Sequence, residues 1–449
     1  ARGHSVFGSD ASDSAMLAQL REAGISCFIG QKAENVDGAE AIFYSSAISP
    51  ENPEFATATQ NQIPAWHRSQ LLAHFVNNAK TSIAVSGTHG KSTTSAMIAH
   101  ILTECGQNPT AVLGAIYPPF GSNLRVGNPD LIVVEADESD GSFTLLKPTV
   151  AVVLNVEPEH LENYDESEEE LWRAFEMFIN GADAFVVNAD DNQLNQRTNH
   201  LGYSYGFNHG SLRAINIRSE AGESQFVVRA QHSETKTIDA DAKLRVPGKH
   251  NVSNSLAAIM SIDVASFSEG ATVGPSTLQG MSNTRVLASK LETFAGTLRR
   301  FERKGEAKNI VIYDDYGHHP TEVRATLDAA KEFLNRPIAV VFQPHRYSRT
   351  LALHRDFGTA FESADKIIIT QLYSAYEEPI EGVSGRMVFD AVRENYPGKA
   401  IYYAENLDEA KKIALEVLES GHALLTMGAG DITKLGPQIL AELEARTDV

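Results

Sequence analysis

The chain has 449 residues, 42% hydrophobic and 21% charged, ordinary for a globular protein and too long for one core, so about three domains are expected. A net charge of −20, from 38 basic and 58 acidic side chains, excludes broad binding to nucleic acid or an anionic membrane, although a nest of backbone N–H groups can still hold a small anion. No apolar run approaches the ~20 residues of a membrane span, and no signal peptide is visible.

Residues 1–80 alternate short apolar runs with helical patterns. "SVFGSD" and "EAIFYSSAI" read as strands, "SAMLAQLREAG" and "QLLAHFVNN" as helices. This is α/β patterning. Cys27 and Cys105 stand far apart, in no metal-like spacing. They read as buried, small apolar residues of a protein kept in a reducing cytoplasm.

From 81 to 295 the pattern sharpens. "SIAVS", "TAVLGA", "DLIVVEAD", "TVAVVLNV" and "ADAFVVNADD" are short apolar runs ending in polar residues, as strands of a buried parallel sheet do. "KSTTSAMIAHILTECG" and "NVSNSLAAIMSIDVAS" read as helices, and "SQFVVRAQ" with "KTIDADAKLRV" as antiparallel ribbon. A third unit, 296–449, carries five strands ("NIVIYDD", "PIAVVFQ", "DKIIITQ", "KAIYYAE", "HALLTMGAG") separated by helices. That is a doubly wound sheet, which takes ligands at the carboxyl ends of its strands. The fold expected is α/β in three domains: a Rossmann-like domain at 1–80, a central mononucleotide-binding parallel sheet at 81–295, and a doubly wound, Rossmann-like domain at 296–449.

"AVSGTHGKSTT" places glycines, a lysine and hydroxyls between a strand and a helix. Gly87 and Gly90 let backbone N–H groups turn toward an anion that the helix N-terminus also faces. Lys91 can reach the terminal phosphates, and the Ser92 hydroxyl can bind magnesium. An ordinary glycine turn is the alternative; the strand–loop–helix context favours phosphate. Glu135, Asp137, Glu138 and Asp140 end the next strand, and Asn155, Glu157 and His160 the one after. Carboxylates there can hold magnesium, as hard oxygen ligands do, or simply solubilise a loop. In the third unit Asp314 and Asp315 end a strand, His318 and His319 occupy the turn, and Pro320 opens a helix. His345, Arg346 and Arg349 follow the next strand, as an anion receptor for a carboxylate or as a basic turn.

The form "GTHGKSTT" resembles the ATP loop of the Mur ligases, which build the peptide of bacterial cell-wall precursors and use a shortened G-T-[HN]-G-K-[ST]. The resemblance runs from "GSD" at 8–10 to "MGAGDITKLG" at 427–436. It implies ATP contacts from Gly87, Thr88, His89, Gly90, Lys91, Ser92 and Thr93, and magnesium at Ser92, Glu135 and His160. It also implies nucleotide contacts from His250, Asn251 and Asn254 in "VPGKHNVSNSLAA" (read otherwise, a helix start), from Arg300, and from Asp315. "EADESDGSF", "GSNLRVG" and "QPHRYSRT" resemble the branch that adds the first amino acid, making Asn123 and Ser142 candidates for sugar-nucleotide contact. Several Mur ligases carry a carbamylated lysine where this sequence has Phe175; the first-amino-acid branch is expected to lack it. In the family a strand and a G-x-G-G-x-G-M loop precede "GSD". This sequence opens after that point, leaving Ser9, Asp10, Ser45 and Ser46 as candidates on that side.

What the resemblance implies is ATP- and Mg2+-dependent joining of L-alanine to the carboxylate of UDP-N-acetylmuramate through an acyl phosphate, in the cytoplasm, by a monomer or homodimer. Lys91, Glu135 and His160 would be catalytic, with His319 or His345 as base and the third unit closing over the second. The alternatives are a ligase that recycles a wall tripeptide and a nucleotide-binding protein without ligase activity.

Overall fold

Strand Thr81–Ser86 is buried at every position and is an inner strand of a ten-stranded sheet in the computed structural model, which describes residues 3–198, 202–220, 223–231, 237–266, 283–375 and 377–446. Its neighbours are Val150–Val153 on one side and Asn128–Glu135 on the other, both parallel to it. Both faces of these strands are apolar because helices cover both. Helix Lys91–Glu104 and helix Lys249–Ala265 pack on one face; helix Glu168–Asn180 and helix Arg68–Asn77 contribute to the core on the other.

The parallel pairing continues outward through Ala184–Asn188 and Tyr203–Gly206 to Leu212–Glu220. There the sheet turns antiparallel through Glu223–Gln231 and Thr237–Leu244, so the ribbon read from the sequence extends the central sheet. Pro109–Tyr117 pairs parallel with Asn128–Glu135, and Ser122–Arg125 closes the other edge antiparallel.

The third unit is a six-stranded sheet ordered Glu302–Ala307, Ile310–Asp315, Ala423–Met427, Ile338–Phe342, Lys366–Thr370, Ala400–Ala404. Its five expected strands are all present and parallel. The first strand, antiparallel at the edge, is an addition: "ERKGEA" has too little apolar character to read as buried sheet. The amino-terminal unit holds two small parallel pairs, Phe7–Asp10 with Ser26–Ile29 and Ile42–Tyr44 with Ala65–His67. Cys27 and Cys105 are free and only half-buried, which corrects the expectation of full burial. Among the described residues no helix is long and apolar enough to cross a membrane.

Phe175 is fully buried and meets the Phe143 ring edge-on at 5.0 Å. It fills the core beneath the cleft. Phe175→Ala should lower stability by about 3–5 kcal/mol through lost burial and the cavity left behind; urea unfolding of the variant measures it.

Candidate functional site

The phosphate loop is shaped by a close approach. At Gly87 (φ +130°) an added Cβ would lie 2.9 Å from the Asn155 carbonyl oxygen, and at Gly90 (φ +89°) 2.7 Å from Asn254 Oδ1. Only glycine tolerates both the conformation and the distance. Asn155 holds the loop from below: its carbonyl accepts from Thr88 N–H at 3.1 Å and its Oδ1 from His89 N–H at 2.8 Å. Helix Lys91–Glu104 then starts directly beyond Gly90, with no side-chain cap on its first N–H groups. Those free donors and the helix dipole favour an anion at this point.

Lys91 Nζ donates to the carbonyls of Gly87 (2.8 Å) and Thr88 (3.2 Å) and lies 2.7 Å from Glu138 Oε2. Burial works against the ammonium, but Glu138, Asp137 and Glu135 outweigh it and raise its pKa. Glu138 is 2% exposed, so it is the lysine's partner and not a loop-solubilising acid. Asp137 and Asp140 do shape an exposed loop, accepting from Ser139 and Ser142 N–H. Glu135 accepts from Gly114 N–H at 2.9 Å with one oxygen. His160 adopts a left-handed backbone (φ +58°), and burial lowers its pKa, which favours the neutral ring.

The carboxyl ends of the second large sheet face the same loop. Helix Pro320–Leu334 begins with Pro320 at its first position. Its cap is reciprocal: the His319 ring takes an N–H of the first turn while Glu322 takes His319 N–H. Glu322 also lies 3.3 Å from His89 Nδ1 and 3.6 Å from Arg300. Thr321 donates to Glu157 at 3.0 Å, Arg349 pairs with Glu159 at 2.8 Å, and Arg346 with Glu162 at 3.1 Å. The two sheets are thus joined by acidic residues bridging to a histidine, two arginines and a hydroxyl. Burial opposes charge on His89, yet Glu157 and Glu322 raise its pKa to about 10. Burial likewise opposes charge on Glu159, yet Arg349 and nearby histidines hold it down to about 2. His345 stacks on Tyr373 (5.6 Å, 10°) and sits 3.5 Å from Arg349.

Two cavities flank the loop. The larger, about 1090 Å3, is lined by Thr88, Lys91, Ser92, Asn123, Glu135, Ser142, His160, Arg300, His345, Arg346 and Arg349. The smaller, about 230 Å3, is lined by His89, Gly90, Thr93, His250, Asn251, Asn254, Arg300 and Asp315. The expected phosphate, metal and carboxylate residues therefore share one space and the adenine-side residues another, with Arg300 in both. His319 is in neither lining, and its ring stands 5.0 Å from that of His89. Helix Lys249–Ala265 is capped by Gly248, while Asn251 reaches back to the Pro247 carbonyl at 2.6 Å. Asp315 is buried, accepting from Phe301 and Gly317 N–H. Ser9, Asp10, Ser45 and Ser46 are not brought to either cavity: Ser9 donates to Glu54 and Ser46 meets His67. From that side Arg68 and Ser69 line the larger space instead.

Sequence reasoning missed Glu159 and Glu322. Glu159 precedes a candidate ligand in "EPEH", and Glu322 stands three residues after the turn histidine, the spacing of a capping box. Arg299 was also passed over; it donates to the Gly428 carbonyl at 2.7 Å and lies 3.5 Å from Asp314.

The fold and site define an α/β protein built around a phosphate loop, with a second sheet closing on the first. Family models for the "Mur ligase family, catalytic domain", the "Mur ligase middle domain" and the "Mur ligase, glutamate ligase domain" match residues 1–80, 85–262 and 299–430. UDP-N-acetylmuramate–L-alanine ligase of Dictyoglomus turgidum is 38% identical over 98% of this chain and 92% of its own, and that of a Sulfurihydrogenibium species 37% over 99% and 94%. The crystal structure of the Thermotoga maritima UDP-N-acetylmuramate–alanine ligase superposes with a TM-score of 0.80 at 29% identity, covering 98% of this chain and 93% of that one. A murein peptide ligase from Psychrobacter arcticus shares the fold at a TM-score of 0.66 and 21% identity, over 100% and 95%. The chain belongs to the Mur ligase family.

Arg349→Ala leaves Glu159 buried without its cation, and should cost about 3–5 kcal/mol of stability. Arg349→Ala with Glu159→Gln should recover part of that in a denaturation cycle. Burial, with Glu322 opposing it, takes His318 down to about 3; burial with Arg349 and Arg346 takes His345 down to about 4. Both rings are neutral in the fold, while the unfolded chain binds their protons below the ordinary value of 6.5. Stability should therefore be fully present above pH 6.5 and fall as pH drops toward 4. Melting temperature against pH shows it, and His345→Gln should flatten that slope.

Proposed function

We propose that this chain joins L-alanine to the carboxylate of UDP-N-acetylmuramate with cleavage of ATP to ADP and phosphate. The observation that carries the reading is one cavity bordered by the phosphate loop, by a carboxylate set and by a carboxylate-binding pair of arginines.

A carboxylate is a poor electrophile because its oxygen is a poor leaving group. In this reading a carboxylate oxygen of the muramyl group attacks the γ-phosphorus, ADP leaves, and an acyl phosphate forms. The amino nitrogen of L-alanine then attacks the acyl carbon, and phosphate departs with the oxygen. The protein's task is to position the reactants and neutralise charge. Lys91 and the open N–H groups of its helix lie where the β- and γ-phosphates would sit. Contacts to the nucleotide from Thr88, His89, Ser92, Thr93, His250, Asn251, Asn254, Arg300 and Asp315 are proposed with it. Asn123 and Ser142 border the same cavity, on the sugar-nucleotide side.

Magnesium fits the donors present. The Ser92 hydroxyl and the Glu135 carboxylate are hard oxygens, Glu135 has an oxygen that Gly114 does not take, and His160 is held neutral. When bound, the ion would supply charge neutralisation of the phosphate oxygens. Arg346 and Arg349 are the receptor for the incoming amino acid's carboxylate, which must share them with Glu162, Glu377 and Glu159. His345 or His319 takes the ammonium proton; burial lowers the pKa of both rings, so each is unprotonated at neutral pH with a lone pair to offer as the amine attacks. ATP as co-substrate places the reaction in the cytoplasm. The divisions at 80 and 295 are proposed as the hinges about which the sugar-nucleotide, ATP and amino-acid units move.

An ADP-release assay tests this directly. With Mg2+, ATP and UDP-N-acetylmuramate, L-alanine should start turnover, and Lys91→Ala should reduce it roughly 100-fold or more. Turnover with a wall tripeptide but not with L-alanine would make the chain a peptide-recycling ligase. ATP hydrolysis indifferent to both would contradict the reading.

A further inference from the structure

Three ligand atoms converge beside the smaller cavity, which His89 and Glu157 line, apart from Ser92, Glu135 and His160. His89 Nε2 lies 3.4 Å from Glu157 Oε2, and His319 Nδ1 lies 3.7 Å from the same oxygen. All three ligand atoms fall within 4.8 Å of one another. A tetrahedral dication at about 2.0–2.2 Å from each ligand needs ligand–ligand separations of roughly 3.4 Å, close to the two measured from Glu157 Oε2.

We propose that His89, Glu157 and His319 form a binding site for a borderline transition-metal dication, Zn2+ above all, which ties the phosphate loop to the second large sheet. Two observations besides the spacing point to an ion. His89 Nε2 is buried and aimed at this cluster, 3.4 Å from Glu157 Oε2 but without a formed hydrogen bond to it. The other ring nitrogen, Nδ1, faces Glu322 at 3.3 Å. A carboxylate on the far nitrogen of a histidine is the outer-shell arrangement that orients zinc-binding imidazoles.

The neighbours accommodate the ion. Thr321 donates its hydroxyl to Glu157 Oε2 at 3.0 Å and fixes that oxygen. Thr321 N–H, 3.4 Å from His319 Nδ1, is a long contact that the ion would replace. Binding releases the His89 proton to solvent, as metal binding at histidine does. Two nitrogens and one carboxylate oxygen favour zinc over magnesium, which seeks six oxygens. Because His89 and Glu157 come from the central sheet and His319 from the other, a bound ion holds the two in their closed relation.

The full-length, metal-free chain is titrated with zinc chloride in a calorimeter, with Mg2+ in excess, and the loaded protein is examined by X-ray absorption. The expected result is one ion per chain with nitrogen and oxygen neighbours near 2.0–2.1 Å. His319→Ala and Glu157→Gln should each weaken binding at least about tenfold, and Glu322→Gln roughly 10–100-fold. His160→Ala should leave zinc affinity unchanged. The absorption spectrum of the unaltered protein needs no variant to fold. No bound zinc, an all-oxygen shell, or affinity lost in His160→Ala but kept in His319→Ala would overturn the proposal.

Discussion

Glutamates carry the contact between the two large sheets. Glu157, Glu159 and Glu162 reach from the loop after strand Val150–Val153, and Glu322 reaches back from the first turn of helix Pro320–Leu334. Remove that contact and the larger cavity loses one wall, because His345, Arg346 and Arg349 would no longer face Lys91 and Glu135. The chemistry ascribed to the site needs water kept from an activated carboxyl group, and this contact is what brings the enclosing elements together.

The same contact reconciles an acidic chain with anionic ligands. Four cations at the site already have a carboxylate beside them: Lys91 has Glu138, Arg349 has Glu159, Arg346 has Glu162 and Glu377, Arg300 has Glu322. Unpaired, these cations would repel one another across the cavity and pay a desolvation penalty. Paired, they stay charged and close to where phosphates and carboxylates would sit. An arriving anion therefore competes with resident carboxylates, and its binding is coupled to how the two sheets meet.

Much of this was legible in the sequence. The phosphate loop was, because Gly87, Gly90 and Lys91 stand between a strand and a helix, and a loop folded this tightly admits few other residues. The parallel strands of both large sheets were, because runs apolar on both faces have few other destinations. The edge strand Glu302–Ala307 was not: its polar residues gain regularity only from pairing with Ile310–Asp315. Glu138 read as either a magnesium-holding or a solvated acid because nothing local shows that strand packing drives it under Lys91. Glu159 and Glu322 were hidden for the same reason, since their partners lie far along the chain. Ser9, Asp10, Ser45 and Ser46 were expected at the substrate and instead make local contacts within the amino-terminal unit.

The central claim is that the phosphate loop delivers a phosphoryl group to a muramyl carboxylate before nitrogen attacks. The most direct measurement starts from UDP-N-acetylmuramate labelled with 18O in its carboxylate, and follows the label by mass spectrometry after turnover with Mg2+, ATP and L-alanine. The account predicts one labelled oxygen in each released phosphate, carried there when the acyl phosphate breaks. Phosphate without label, formed alongside the amide product, would contradict it.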